Sequence, residues 1–473
     1  MSERTLSAHT PVRGRELRPH RPGIILATLL TCQLMIILDA TVMNVALPRI
    51  QSDLHFSQTG LSWVLNAYTL VFGGLLLLGG RAGDFFGRRQ VFLAGISLFT
   101  LASLAGGLAD SATWLLVARI LQGLGAAAAG PSTLALITTT FTGARERMRA
   151  LALFSAMSSA GLAVGLILGG LLTEWLSWRS VLFINLPFGL FAVVLGARYL
   201  IDPPRRRSQL DLPGAITATG GVAAIVYGFI SAASDGWGRT TTLLSLAVGV
   251  VLLGAFLFIE IRAEHPLMPL RLFRDRNRAT AYTNFFLGPM AGMSMFFFLT
   301  QYLQDVRGMT ALQTGFAFLP MAVLVFGLSR LIPRLLPRFG PKPTALAGTL
   351  SMIAGMLVLT RLSADSGYFP LVFLPMVLMG IGMGLAFAPL NVIIMGSVAP
   401  EDAGAAGGVL QTMQQTGATL GLAILVTVFG SASRGATGSP HEVLVTGMTH
   451  AFFAAAIIAG VAFLVALTFR RRP

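Results

Sequence analysis

Fourteen stretches of mostly apolar residues follow one another along this chain, separated by short polar connections. A helix that crosses a bilayer needs about 20 such residues. The runs fall near residues 23–48, 60–80, 89–109, 113–138, 149–173, 179–201, 213–233, 241–262, 279–302, 312–334, 341–361, 370–396, 402–429 and 447–470. Their apolarity is continuous rather than alternating, which points to helices and away from a barrel. Glycine and proline interrupt many of them, as membrane helices tolerate when neighbouring helices satisfy the freed backbone groups. Only 11% of the 473 residues are charged and 54% are hydrophobic, against about 25% charged in soluble domains. Two or three water-exposed domains could not be clothed with so few charges. The expected class is an all-α polytopic membrane protein.

Charge placement tests the count. The net charge is +15, but the basic residues lie in short clusters between apolar runs and not on one wetted face, so nucleic acid is not the expected partner. Alternating sides from a cytoplasmic N-terminus puts 27 of the 34 basic residues inside and 6 outside, with Arg119 within the fourth run. Cytoplasmic loops are enriched in this way. The expectation is fourteen helices in the cell inner (plasma) membrane with both termini cytoplasmic. The Arg-rich tail, residues 1–22, precedes a first run with no small-residue cleavage site, which reads as a retained anchor. Cys32 is the single cysteine, so neither an internal disulfide nor a multi-cysteine metal site is expected. No connection is long enough for a soluble domain, and the seventh and eighth runs read as lipid-facing.

Ionisable residues inside a membrane are costly and mark function by default. Asp39, in the first run, is the one deep carboxylate, and Arg119 is the comparably placed cation. At 1.5 Å per residue they lie roughly 13 Å and 9 Å below the same boundary, within reach of each other. The pair could be a static packing element. It could also be a proton switch, because a neighbouring guanidinium favours the charged form of a carboxylate and an apolar cavity the neutral form. Nucleotide-driven pumping has no P-loop here, since the only lysine, Lys342, precedes Pro343. No HExxH string supports a metalloprotease, and the histidines are scattered; no metal site and no enzyme activity are expected.

The strings around these residues are LDATVMNVALP (38–48), WVLNAYTL (63–70), GRAGDFFGRR (80–89), ARILQGLGAA (118–127), GLAVGLILGG (161–170) and WRSVLFINLPFG (178–189). With HPLMPLRLF (265–273) and QYLQDVRGMT (301–310), they resemble the major facilitator superfamily, in particular its fourteen-helix drug:proton antiporter branch, over the whole chain. The resemblance implies the major facilitator fold with 14 transmembrane helices. Two six-helix bundles, residues 23–201 and 279–473, would flank a linker at 202–278 with two inserted helices, and substrate would sit between the bundles near the midplane. It further implies export of a small amphiphilic compound or drug by alternating access, with the proton as coupling ion and no cofactor, by a chain functional as a monomer in contact with lipid. Uptake by symport and a sensor that transports nothing are the competing readings.

Site roles follow from the same resemblance. Asp39 and Arg119 become the proton-coupling pair. The loop Gly80, Asp84, Gly87, Arg88 and Arg89 becomes a cytoplasmic latch between bundles, with residues 397–402 as its receptor. Gly161, Gly165, Gly169 and Gly170 give one small-residue face that lets helices approach closely. Leu166 stands where the branch has proline, which leaves the face intact and removes a kink. Packing without transport significance is the other reading of this face. Candidate cavity residues are Asn44, Trp63, Asn66, Tyr68, Gln122, Tyr282, Asn284, Asn391 and Gln414. The Met-rich stretches would suit a promiscuous cavity but are ordinary packing elements as well.

Overall fold

The computed structural model describes residues 21–141, 143–202, 211–264, 266–398 and 402–470. Among them are sixteen α-helices and no strand. The first bundle comprises α1 (Pro22–Leu54), α2 (Ser62–Phe86), α3 (Arg88–Gly107), α4 (Ala112–Thr140), α5 (Ala144–Trp175), the short α6 (Ser180–Phe183) and α7 (Asn185–Tyr199). Next come α8 (Leu212–Asp235) and α9 (Thr240–Arg262). The last group is α10 (Arg276–Gln301), α11 (Ala311–Ala317), α12 (Leu319–Phe339), α13 (Pro341–Leu359), α14 (Phe373–Met395), α15 (Ala403–Gly435) and α16 (Pro440–Leu467).

Helix lies over every predicted run; the sixth is divided between α6 and α7, the tenth between α11 and α12. Among the described residues, twelve segments are long and apolar enough to cross a membrane, against the fourteen expected. The two remaining runs are those of α5, whose side chains are described without a gap only over Ala160–Trp175, an apolar stretch, and of α10, which falls short by its own composition. Arg145, Glu146, Arg147 and Arg149 occupy the start of α5, and residues 150–173 after them carry no charge. α10 carries Thr280, Tyr282, Asn284, Ser294, Thr300 and Gln301, all buried in the protein. A helix that packs its polar groups against other helices does not need the hydropathy that contact with lipid demands. The opposite case is α9, whose Leu243, Leu244, Val250, Val251, Phe258 and Ile261 are exposed.

Helix ends follow local chemistry. Thr310 with Gln313 and Ser439 with Glu442 form capping boxes at the starts of α11 and α16, each satisfying two otherwise unpaired backbone N–H groups. Asp211 and Asp275 cap α8 and α10. Between α2 and α3 the chain turns at Gly87, φ +110°, a conformation that costs glycine little. A Cβ there would lie 2.6 Å from Asp202 Oδ2.

Packing repeats itself in the two halves. α1 meets α5 and α10 meets α15; α2 meets α4 and α12 meets α14; α3 meets α4 and α13 meets α14. Glycines make several of these approaches possible. Gly95 and Gly125 face each other, a Cβ on either lying within 2.7 Å of the other's carbonyl oxygen. Gly348 and Gly382 do the same in the second half, within 3.0 Å. Without bulky side chains between them, helices gain dispersion contacts and close backbone approach, the main sources of association where lipid is the solvent.

α8 and α9 pack on each other, and α8 lies against α2 and α15. Between the bundles, α2 runs along α15: Thr419 donates to Thr69 Oγ1 at 2.8 Å, and Gly73 packs on Gln415. Near the end of the molecule remote from the start of α1 and the end of α16, α5 meets α11. There a Cβ on Gly170 would lie 2.6 Å from Ala311 O, and Leu312 N donates to Glu174 Oε2 at 2.9 Å. Gln304 Nε2 donates to Val45 O at 2.8 Å on the same side. At the opposite end of α5, residues 145–149 are exposed.

Candidate functional site

Asp39 and Arg119 meet. Arg119 Nη1 lies 2.6 Å from Asp39 Oδ2, and both side chains are wholly inaccessible to solvent. The long guanidinium stem spans the offset in depth. Its Nε donates to Val64 O at 3.0 Å and Nη1 also to Gln122 Oε1 at 2.8 Å. The guanidinium carbon sits 4.5 Å from the centre of the Tyr68 ring, a cation–π contact strengthened by the absence of water. Gln122 follows Arg119 by three residues on α4 and so shares its face.

The second carboxylate oxygen is equally occupied. Asp39 Oδ1 accepts from Gln122 Nε2 and from Asn185 Nδ2, each at 3.0 Å. Ser103 Oγ joins the two amides, accepting from Gln122 at 2.8 Å and Asn185 at 3.3 Å, and itself donates to Phe99 O at 2.8 Å. Helices α1, α3, α4 and α7 thus contribute one side chain or more to a single dry network. Removing two charges from water costs several kcal/mol per ion, offset here by a direct ion pair and by donors on both carboxylate oxygens. Asn185 and Ser103 did not stand out in the sequence. The available signal was Asn185 itself, a polar residue inside an apolar run directly before Leu186 and Pro187.

The glycine face of α5 packs on α1 within a turn of this network. Gly161 faces Ile37, Gly165 faces Thr41 and Leu38, and Gly169 faces Val42, with no room for a Cβ at Gly165. Gly170 turns instead toward α11. Leu166 is buried, and its carbonyl lies against Gly315 of α11; α5 is one continuous helix.

The loop between α2 and α3 is tied within its own bundle. Arg88 Nη2 pairs with Asp84 Oδ1 at 2.7 Å, Arg89 N donates to Asp202 Oδ1 at 3.1 Å, and Arg89 Nη2 donates to Ala197 O. Gly80 borders Pro131. Arg81 reaches outside it, donating to Pro266 O at 2.8 Å. Residues 399–401 of the expected receptor segment lie outside the described residues; Asp402 pairs with Arg271 at 2.5 Å. Glu260, at the end of α9, is buried and accepts the backbone N–H groups of Leu267 and Met268 at 3.1 and 3.0 Å, so it terminates a helix and folds the connection after it.

The candidate cavity residues do not form one cluster. Tyr68 and Gln122 belong to the Asp39 network. Asn44 donates to Ala40 O of its own helix, and both amide atoms of buried Asn66 are without a protein partner. Trp63 stands 6.4 Å from Tyr227 of α8. Tyr282 donates to Ala406 O and Asn284 to Thr280 O, both in the second bundle. Asn391 is exposed and Gln414 half-buried. A groove of about 620 Å³ lies apart from Asp39, between α8, α15 and α16, with Phe229, Trp237, Thr427 and His450 on its walls.

A further acid lies at the end remote from the start of α1. Asp305 sits in a π-helical turn, Tyr302–Val306, and burial pushes its carboxyl up from 3.8 to about 6, with His441 opposing the shift. The folded chain therefore holds this proton more tightly than the unfolded chain. That gain in stability is complete below about pH 4 and is lost as pH rises through about 6. Asp305→Asn is expected to abolish the loss; thermal unfolding of wild type and variant at pH 4.5 and 7.5 checks it, and an equal pH response in both would refute it.

Comparison with known proteins accords with this geometry. The sequence profile of the Major Facilitator Superfamily matches residues 29–422. A puromycin resistance protein of Streptomyces alboniger is 43% identical over 455 residues, covering 93% of this chain and 89% of its own. A cephamycin export protein of Amycolatopsis lactamdurans is 40% identical, covering 91% of this chain and 89% of its own. Among solved structures, an auto-inhibited POT family peptide transporter aligns with TM-score 0.68 at 18% identity, covering 95% of this chain and 98% of that one. A bacterial homologue of the lysosomal transporter Spinster, inward-facing and unoccupied, aligns with TM-score 0.65 at 17% identity, covering 97% of this chain and all of that one. With its repeated helical halves and its membrane-capable helices, this multi-pass membrane protein belongs to the Major Facilitator Superfamily.

Proposed function

We propose that the chain is a secondary exporter of a small amphiphilic compound of the antibiotic class, driven by proton antiport. The relatives named for puromycin resistance and cephamycin export support the export direction and the compound class. The observation that carries proton coupling is the dry Asp39–Arg119 pair, the one buried ion pair among the described residues. A carboxylate held this way is ready to exchange its salt bridge for a proton when the bundles move, which is how a single site can couple two fluxes.

The arginine bias supports cytoplasmic chain termini and fourteen crossings, with α5 and α10 spanning as part of the bundle interior. In that orientation, contacts between α5 and α11 lie on the outer side and the exposed start of α5 on the cytoplasmic side. Substrate would enter from the cytoplasm between the bundles, and protonation of Asp39 from outside would reset the cycle. The α2–α3 loop, bound within its own bundle here, would engage the second bundle when the cytoplasmic side closes. No cofactor is needed, because the proton gradient supplies the work.

Purified protein in liposomes with an imposed pH gradient tests this reading, with puromycin as the probe. Expected is puromycin movement opposite to the proton flux, collapsing with a protonophore. Movement unaffected by the protonophore would refute coupling, and movement in the direction of the protons would favour symport.

A further inference from the structure

If Asp39 is the coupling acid, as proposed for this exporter, its site must satisfy two protonation states, and its neighbours differ in which state they can serve. All three side chains bonded to Asp39 donate to it, as an ionised carboxylate requires. A protonated carboxyl carries an O–H that needs an acceptor, and in a dry site an unmade bond is costly. Arg119 has no acceptor atom. Gln122 Oε1 already accepts from Arg119. Ser103 Oγ accepts from two amides and donates to Phe99 O. Asn185 combines a donor on Asp39 with a buried carbonyl oxygen, Oδ1, that has no partner.

We propose that Asn185 is a positioning residue that follows the protonation state of Asp39, donating through Nδ2 to the carboxylate and turning over to accept through Oδ1 from the carboxylic acid. The incoming proton stays on Asp39; Asn185 neither gains nor loses one. Its place in the fold suits such a turn. It follows Ile184, where the backbone stays helical (φ −59°, ψ −25°), so the change is a rotation of the side-chain amide that needs no backbone movement. When the amide turns, Nδ2 leaves Ser103, and Gln122 keeps that hydroxyl. The protonation signal in α1 is thereby passed to the last helix of the first bundle.

Other titratable or charged groups around Asp39 are few. Arg119 faces it from α4. Tyr68 of α2 lies over the guanidinium with its hydroxyl buried and unpartnered. Cys32 lies two turns back on α1, bonded by Thr133. α5 presents glycines, and its Arg145, Glu146, Arg147, Arg149 and Glu174 lie toward its ends. On α10, Arg276 and Arg278 are in the first turn; α6 and α11 carry no charged residue. Tyr68 is therefore the rival acceptor.

Infrared difference spectra of the purified protein between alkaline and acid pH decide between them without any substrate. The C=O band of the protonated carboxyl is assigned by its loss in Asp39→Asn. In Asn185→Leu that band is expected at higher wavenumber, because the acid O–H has lost its acceptor, and in Tyr68→Phe it stays in place. The pH midpoint of the band in Asn185→Leu should stay within about half a unit of wild type, since lost donor and lost acceptor act in opposite directions. An unmoved band with a midpoint raised by about one to two units, the effect of losing only a donor to a charged group, overturns the inference and leaves the coupling role of Asp39 standing. A band that moves in Tyr68→Phe instead also overturns it, and a band that survives Asp39→Asn overturns both. Should Asn185→Leu misfold, wild type labelled with carbon-13 at the asparagine side-chain carbonyl gives the same answer. An amide band that shifts with the carboxyl midpoint is expected, and an invariant one refutes the turn.

Discussion

Asp39→Asn is expected to abolish proton-coupled transport while leaving a folded protein that still binds substrate. Asparagine keeps the volume and can accept from Arg119 through its oxygen, but it has no proton to exchange. Arg119 loses its counter-charge, though Val64 O, Gln122 Oε1 and the Tyr68 face remain around it. Stability should therefore fall by less than the ~3–5 kcal/mol typical of breaking a buried pair. The measurement is proton-driven puromycin flux in liposomes, with thermal unfolding as the check on folding. Export against a gradient with unchanged pH dependence would place the coupling elsewhere. Glu260 is then no ready substitute, because its carboxylate is committed to two backbone N–H groups at a helix end.

Arg119→Ala is expected to have the other large effect, and its signature differs. Removing the cation strands a buried carboxylate with only the Gln122 and Asn185 amides, at a cost of about 3–5 kcal/mol unless the acid takes up a proton. Activity should shift to more alkaline conditions, where the acid can still be emptied. Arg119→Lys retains a charge but not the planar fork that reaches Val64 O and Asp39 together, so it should keep partial function. Combining Arg119→Ala with Asp39→Asn removes both charges, and the double variant should be more stable than Arg119→Ala alone. Identical pH profiles in wild type, Arg119→Lys and Arg119→Ala would show that Arg119 does not govern the site, and an additive double variant would say the same of the pair.

Helix positions were legible because lipid imposes a composition: every run that must face hydrocarbon announces itself, as α9 does with its exposed leucines and valines. The same preference marked Asp39 and Arg119, since a charge in such a run is conspicuous. It also explains why α10, read as an apolar run, has the weaker hydropathy: its polar residues lie against other helices, and protein neighbours relax the demand. Glycine spacing foretold the close face of α5 but not that Gly161, Gly165 and Gly169 turn to α1 while Gly170 turns to α11.

Asn185 and Ser103 mark the boundary of sequence reasoning. A neutral amide in a membrane helix can bond any of several neighbours at modest gain, so nothing in a linear string says which one it meets. Of the nine candidate cavity residues, for the same reason, Tyr68 and Gln122 join the Asp39 network, Tyr282 and Asn284 bond within the second bundle, and Asn391 is exposed. Solvent preference acts on each residue separately and is written in the sequence, and by itself it determined the all-helical class, the membrane-capable segments and the two buried charges that meet in the first bundle. Hydrogen-bond partnership depends on which helices cross at which depth, and only the tertiary structure, bringing α1, α3, α4 and α7 together, decided that the carboxylate of Asp39 is held on both oxygens.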